Sequence, residues 1–275
     1  MKDLGELQSF LGINIKRTSD KLYMNQALYA QKLLKRFGME ECKPVKTPME
    51  IKPPENEAVE AVGKSKPYRE LVGCLMYLML TTRPDLSTAV NHFSRFQSNA
   101  TEAHWKGLKR ILRYVQGTTE LGLLYCKGQK DTLIAYSDAD WGGSSDRKST
   151  TGYLCKVFGN TVCWTTKKQS TVALSTTEAE YVALAMTATE LLWLKNLLVD
   201  LGVSCEEPIK IYEDNQSTIH LLQRWEHKRL KHIDIKYNFI RDLKENNVID
   251  VIYLSTKRQI ADIHSVPQER VDPIF

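Results

Sequence analysis

The sequence predicts an α/β fold in which helices pack on a mixed sheet, and three patterns in its second half support this prediction. The hairpin dipeptide Gly159-Asn160 joins two strand-like segments. A long apolar helix is predicted over residues 175–201, and strands and helices alternate after it. Antiparallel strands followed by such alternation are typical of a mixed sheet. The three strands predicted before the long helix are 132–138, 152–158 and 161–166.

The elements after residue 201 follow from their own patterns. Residues 209–213 and 248–254 alternate in the manner of strands. Helical spacing is found over 216–224 and 232–245, and a short helix is predicted near Asp262. These elements complete the predicted sheet and its helical cover.

The first half is predicted to be mainly helical after a small hairpin. Two apolar runs, 10–15 and 21–24, flank a turn at Ser19-Asp20. Residues 44–66 are rich in proline and glutamate and are predicted to form an exposed linker, and 117–131 is predicted to connect the two halves. The helices predicted here are 26–37, 67–83, 84–96 and 101–116.

Composition argues against a zinc-binding, a disulfide-stabilised or a membrane-spanning protein. A chain of 275 residues with 42% hydrophobic content can bury a sizeable core, and a net charge of +5 permits but does not establish nucleic-acid contact. The six cysteines include no Cys-x-x-Cys pair, so we expect neither zinc nor a disulfide framework but buried thiols in a reducing compartment. We find no signal peptide and no apolar run near the roughly 20 residues that span a bilayer, so no membrane partner is expected.

Four carboxylates carry the strongest chemical signal. Asp138 ends a predicted strand before a glycine turn, and Asp214 follows a second strand. Glu180 lies in the apolar helix, and Asp262 lies in a short segment near the end. Oxygen ligands from two strand ends and two helices can hold divalent metals at one point. This pattern predicts a metal-dependent phosphodiesterase.

Each carboxylate also has a simpler interpretation. Asp138 could be a simple turn residue, and Asp140 is the alternative functional residue in the same motif. Asp214 could be the N-cap of the next helix. The Ser175-x-x-Glu178 pattern fits a capping box, which leaves Glu180 free within the helix. Asp262 on its own is typical of a solvated surface. The order and context of the four residues therefore carry the signal.

Six sequence words bring these carboxylates into one known pattern. They are Tyr-Ser-Asp-Ala-Asp-Trp-Gly at 136–142, Asp-Arg-Lys-Ser-Thr-Thr-Gly-Tyr at 146–153, Ser-Thr-Thr-Glu-Ala-Glu-Tyr at 175–181, Tyr-Glu-Asp-Asn-Gln at 212–216, Lys-His-Ile-Asp-Ile-Lys-Tyr at 231–237 and Gln-Ile-Ala-Asp-Ile at 259–263. In this order they resemble the RNase H domain of the Pol polyproteins of copia-class LTR retrotransposons.

The resemblance implies an RNase H-like five-stranded mixed sheet over residues 131–264. It also implies endonucleolytic cleavage of the RNA strand of RNA–DNA hybrids with two Mg²⁺ or Mn²⁺ ions. The implied metal ligands are Asp138, Glu180, Asp214 and Asp262. By analogy Asp138 bridges both ions, Asp262 helps to hold the ion that activates water, and the other two hold the second ion.

Residues 1–125 resemble the end of the reverse transcriptase palm, the thumb and the connection of the same polyproteins. The matching words are Met-Lys-Asp-Leu-Gly-Glu-Leu at 1–7, Phe-Leu-Gly-Ile at 10–13, Thr-Arg-Pro-Asp-Leu at 82–86 and Leu-Lys-Arg-Ile-Leu-Arg-Tyr at 108–114. The sequence contains no Asp-Asp pair, which the polymerase site of the family requires. We therefore expect no polymerase activity from this chain, and the remainder of Pol is an expected partner.

Basic side chains are candidates for phosphate contact. Three of them share one face of the helix predicted at 101–116, and two lie in the loop after the first strand; the alternative for both groups is solvated surface. These residues are Lys106, Arg110, Arg113, Arg147 and Lys148.

Two departures from the family pattern bear on the predicted site. The loop at 254–258 lacks the histidine that often assists product release, and His232 is expected to cap or pack its helix. Residues 265–275 form a divergent tail after Asp262. The alternative function is a catalytically inactive remnant or a co-opted nucleic-acid-binding module. The resemblance implies a cytoplasmic location in element particles, with possible nuclear access.

Overall fold

The computed structural model of the chain contains two compact units, one ending at Lys127 and the other beginning at Gly128. It describes residues 5–50, 52–54, 61, 63, 66–128, 131–143, 146–223 and 234–261. Each unit has its own sheet and its own apolar core.

The first unit contains a four-stranded antiparallel sheet, with the strands adjacent in chain order. The run predicted as one strand at 10–15 is divided by a turn at Leu11-Gly12, where both residues have positive φ. A fourth strand lies in the segment that was predicted to be a connection, so that prediction was wrong. The strands are β1 (Ser9–Phe10), β2 (Ile13–Arg17), β3 (Lys21–Asn25) and β4 (Gly122–Cys126).

The helices of the first unit enclose a core of leucine, valine and aromatic side chains. The predicted helices are confirmed, and a 3₁₀ turn at Pro84–Leu86 starts the third of them. The helices are α1 (Ala27–Arg36), α2 (Tyr68–Thr81), α3 (Ser87–Ser94) and α4 (Glu102–Gly117).

A buried ion pair fixes the turn between α2 and α3. Arg83 Nη2 donates to Asp85 Oδ2 at 2.7 Å, and both side chains are almost fully buried. The same guanidinium donates to the Thr118 carbonyl at 2.9 Å after α4. Because the charges are paired and the donors are used, the cost of burying this pair is offset. The word at 82–86 thus has a structural role.

Residues 44–54 differ from the exposed linker that was expected. Arg110 Nη2 on α4 donates to Thr47 Oγ1 at 3.0 Å, and Arg113 Nε donates to the Lys43 carbonyl at 2.8 Å. Met49 packs against the core of the unit. The described part of this segment is therefore held on α4. Within the rest of the predicted linker, residues 51, 55–60, 62 and 64–65 lie outside the described residues.

The second unit contains the predicted five-stranded mixed sheet. Its order is β7-β6-β5-β8-β9, in which β5 is antiparallel to β6 and parallel to β8. The β6–β7 pair is antiparallel and the β8–β9 pair is parallel. This order and these directions confirm the RNase H-like α/β fold. The strands are β5 (Leu133–Asp140), β6 (Thr150–Val157), β7 (Asn160–Lys168), β8 (Ile209–Glu213) and β9 (Ile249–Tyr253).

The long helix α5 (Thr176–Asp200) packs on this sheet. The expectation that no apolar run approaches the length of a membrane span was wrong for this helix, which is long and apolar enough to cross a bilayer. Half of its most apolar window is nevertheless buried within the unit, as in a core helix. Two shorter helices follow, α6 (Gln216–Gln223) and α7 (Asp234–Glu245), and a 3₁₀ turn at Thr256–Arg258 comes after β9.

All six cysteines are free thiols. Cys155 is buried, whereas the other five are partly exposed, so the expectation of buried thiols holds for Cys155 alone.

Packing between α3 and α4 requires a glycine at position 107. A Cβ atom there would lie 2.1 Å from Phe93 Cζ, whereas a Cβ at Gly73 on α2 would contact no atom within 4 Å. Gly107→Ala is expected to lower the free energy of unfolding by roughly 1–3 kcal/mol through overpacking. Gly73→Ala is expected to raise it by roughly 0.5–1 kcal/mol, because alanine is the better helix former. Chemical denaturation of both variants measures the difference, and equal effects would contradict the packing described.

Candidate metal centre

Asp138 lies near the carboxyl end of β5, in the centre of the sheet. It pairs with Gly152 on β6, and its side chain is 9% exposed. The strand continues to Asp140, which is exposed to solvent. Asp138 is therefore a buried strand residue and not a turn residue, and Asp140 lies outside the buried cluster.

Glu180 lies in the second turn of α5. Ser175 is the N-cap and accepts from the backbone N–H of Glu178 at 3.2 Å, while Glu178 Oε2 accepts from the Leu174 N–H at 2.7 Å. Capping thus uses Glu178 and leaves Glu180 to point inward. Glu180 is 6% exposed and accepts a hydrogen bond from the Ala139 N–H, which joins α5 to β5 beside Asp138.

Asp214 lies between the end of β8 and the start of α6. The N-cap of α6 is Asn215, whose Oδ1 accepts from the Thr218 N–H at 3.0 Å. Capping therefore does not account for Asp214.

The three carboxylates come together at one point. Asp138, Glu180 and Asp214 each offer an oxygen, and these atoms lie within 4.8 Å of one another. Oxygens on opposite sides of one Mg²⁺ ion, at about 2.1 Å each, lie roughly 4.2 Å apart, so small rotations of the side chains suffice. Carboxylate oxygen is also the donor that Mg²⁺ and Mn²⁺ prefer. The residues therefore fit a divalent cation.

Glu213 is a further carboxylate beside this cluster and is fully buried, and the sequence prediction missed it. Its Oε1 accepts from the Asn215 N–H at 3.1 Å, whereas Oε2 has no hydrogen-bond partner among the described residues. The alternation of β8 could have revealed that Glu213 is buried, because Ile209, Ile211 and Glu213 occupy the same face of the strand.

Burial and mutual repulsion change the protonation of the cluster. Burial, with the nearby charges of Glu213, Asp138 and Asp214, raises the pKa of Glu180 to about 11. Burial also raises the pKa of Glu213 well above its ordinary value, helped by Asp138 and Asp214. Glu180 Oε2 also lacks a hydrogen-bond partner in the described part of the chain. A cation would compensate the charge that now disfavours ionisation.

Asp262 lies outside the described residues, so its predicted role stays a prediction. The segment that leads to it lies close to the cluster. A Cβ atom at Gly152, the strand partner of Asp138, would lie 2.7 Å from the Ala261 carbonyl oxygen. The chain therefore passes within backbone contact of β6 one residue before Asp262.

The predicted phosphate contacts are not brought into this cluster. Arg110 and Arg113 bind the 43–50 segment, and both line a cavity of about 610 Å³ on the first unit together with Lys106. Arg147 is exposed, and the Lys148 N–H donates to Asp146 Oδ1 at 3.1 Å. A role in nucleic-acid binding stays a prediction for all five residues. His232 lies outside the described residues.

The comparisons with known proteins point to one group. The chain is 43% identical to the retrovirus-related Pol polyprotein from transposon TNT 1-94 of Nicotiana tabacum, over 96% of this chain and 20% of that protein. It is 41% identical to the Pol polyprotein from transposon RE2 of Arabidopsis thaliana, over 98% of this chain and 19% of that protein. The chain thus spans about a fifth of the length of these relatives. No protein-family model matches it.

Among solved structures, the chain is similar over part of its length to LC11-RNase H1, isolated from compost. The identity is 18%, the TM-score is 0.39, and the match covers 52% of this chain and 97% of that chain. The fold assignment therefore rests on the order and directions of the strands in the sheet and not on this similarity.

Glu180→Gln is expected to stabilise the metal-free chain at neutral and alkaline pH. Glu180 has a raised pKa in the folded state, so its contribution to stability is complete below its ordinary value near 4.5 and is lost as pH rises towards 11. Glutamine keeps the neutral form at every pH. The increase in the free energy of unfolding of the variant over the unaltered chain should be near zero at pH 4 and reach roughly 2 kcal/mol by pH 8.

Calorimetry in EDTA across this pH range measures the effect, with Glu178→Gln as the control at the helix cap. A loss of stability at pH 8 in the Glu180→Gln variant, or an equal gain in the control, would contradict the electrostatic account.

Proposed function

The chain belongs to the retrovirus-related Pol polyproteins of copia-type transposons, and on this premise we propose that its second unit hydrolyses the RNA strand of RNA–DNA hybrids. Reverse transcription produces such hybrids, and an internal cut in the RNA strand removes the template. The proposal covers this activity as one part of a larger polyprotein.

One observation carries the proposal. Asp138, Glu180 and Asp214 come from two neighbouring parallel strands and one helix, yet their oxygens converge within 4.8 Å. A sheet that served only as a scaffold would not gain stability from three converging carboxylates, since they repel one another and the buried Asp138 and Glu180 lose hydration. The arrangement is explained by a cationic cofactor.

We propose that the cofactor is a pair of Mg²⁺ or Mn²⁺ ions. Bound together, two such ions can lower the pKa of the attacking water and stabilise the charge on the leaving oxygen. By analogy with the family that the sequence resembles, Asp138 would hold both ions, and Asp262 is proposed as the fourth ligand. The protein's own contribution is to keep the carboxylates fixed and close enough to bind.

The first unit is proposed to support the substrate and not to polymerise DNA. Its sequence contains no Asp-Asp pair, and its α4 carries the basic residues considered above.

Asp138→Asn is expected to lower the cleavage rate at least about 100-fold, because one ligand charge is removed while the shape is kept. The matched control is Asp140→Asn, two residues further along the same strand but exposed, which should keep the rate within about threefold. The measurement uses an RNA–DNA hybrid labelled on each strand in turn, with Mg²⁺ or Mn²⁺ and an EDTA control.

Cuts in the RNA strand alone, dependent on metal and on Asp138, are the expected result. Hybrid binding without cleavage by the folded, unaltered chain would contradict the proposal and favour a module that binds nucleic acid without cutting it.

A further inference from the structure

The parallel pairing between β5 and β8 ends just before the carboxylates. Its last pair of residues is Tyr136 and Tyr212, whose rings stack with centroids 5.0 Å apart. Beyond this point the strands are no longer paired with each other, and each leads to a metal-ligand candidate, Asp138 on one side and Asp214 on the other. The separation of the two strand ends therefore sets the distance between these two carboxylates.

A glutamine side chain lies between β5 and β8 at the point where their pairing ends. Gln259 is fully buried, and its Nε2 donates to the Ser137 carbonyl at 2.8 Å and to the Tyr212 carbonyl at 3.4 Å. The Tyr212 carbonyl belongs to the last pair of the ladder and the Ser137 carbonyl lies just beyond it, so the side-chain amide supplies a donor where the backbone pairing ends. Gln259 thereby bridges the strand that carries Asp138 and the strand that leads to Asp214.

The other end of the same amide holds the segment that precedes the fourth ligand candidate. Gln259 Oε1 accepts from the Ala261 N–H at 3.3 Å. The Ala261 carbonyl lies close to Gly152, beside Asp138 in the sheet. One side chain thus contacts three chain segments that each lead to an acidic residue of the proposed site.

A second buried glutamine holds the remaining ligand. Gln169 follows β7, and its Nε2 donates to the Ala179 carbonyl at 2.9 Å and to Thr151 Oγ1 at 3.1 Å. Ala179 directly precedes Glu180 on α5, and Thr151 lies on β6 opposite Ala139. This amide therefore fixes the first turns of α5 against the strand that pairs with β5.

We propose that Gln259 and Gln169 are positioning residues for the divalent-metal site. Each holds the backbone next to a carboxylate, so that the like-charged ligands stay at binding distance before an ion binds. This inference rests on the proposed function, because it assumes that the cluster binds metal. Removing a group that orients metal ligands typically costs 10–100-fold in metal affinity.

The test is Mn²⁺ binding to the full chain, measured by isothermal titration calorimetry, with Asp138→Asn to identify the binding at this site. Gln259→Met keeps the volume and removes the amide, and should weaken Mn²⁺ binding at least about tenfold. Gln169→Met should weaken it in the same direction.

The matched control is Gln26→Met in the first unit. Gln26 is equally buried, and its Oε1 accepts from Thr82 Oγ1 at 2.9 Å. All three variants should lose thermal stability, since each leaves buried groups unpaired, but only the two in the second unit should lose Mn²⁺ affinity.

Retention of Mn²⁺ affinity within about twofold by Gln259→Met would overturn the inference while leaving the metal site itself intact. If that variant does not fold, Gln259→Asn, which keeps an amide too short to reach both carbonyls, is assessed by the same criteria. Absence of Mn²⁺ binding in the unaltered chain would instead contradict the proposed function, and this inference with it.

Discussion

Repulsion among closely spaced carboxylates is the constraint on which the second unit depends. Asp138, Glu180 and Asp214 bring oxygens within 4.8 Å, and Glu213 adds a fourth acidic side chain beside them. Left to themselves, such groups would move apart or turn towards water. The fold prevents this because each carboxylate lies on or next to an anchored element. Asp138 lies on β5 in the middle of the sheet, Asp214 directly follows the neighbouring parallel strand β8, and Glu180 lies on α5, which packs on the sheet. Proton uptake or a bound cation then resolves the repulsion that remains.

The anchoring is achieved by neutral groups. Two buried glutamine amides and the backbone N–H of Ala139 hold the chain next to the acidic side chains. Neutral donors of this kind fix geometry without neutralising the carboxylates, so the negative potential stays available to a cation. A lysine or arginine at these positions would satisfy the same carbonyls but would compete with the metal. The choice of glutamine is therefore consistent with a site that must stay charged and fixed.

Much of this could be predicted from the sequence. Strand-like patterns and the Gly159-Asn160 turn identify β6 and β7, and the apolar length of α5 identifies the core helix. Asp138, Glu180 and Asp214 were recognisable because their order and their elements match a known family.

Other features depend on contacts distant in sequence. β4 pairs with β3 almost a hundred residues earlier, so no local pattern marks it as a strand. The role of Gln259 depends on the end of a ladder to which it does not belong. The assignment of the helix cap to Asn215 and not Asp214 required the geometry of the turn.

The central claim is that three carboxylates form one divalent-metal site. Anomalous diffraction from crystals soaked in Mn²⁺ tests it most directly, because it locates the ion without reference to activity. The account predicts an anomalous peak in contact with oxygens of Asp138, Glu180 and Asp214, at about 2.2 Å from its ligands. A well-ordered cluster that shows no such peak at saturating Mn²⁺, with its side chains in direct hydrogen bonds to one another, would contradict the account.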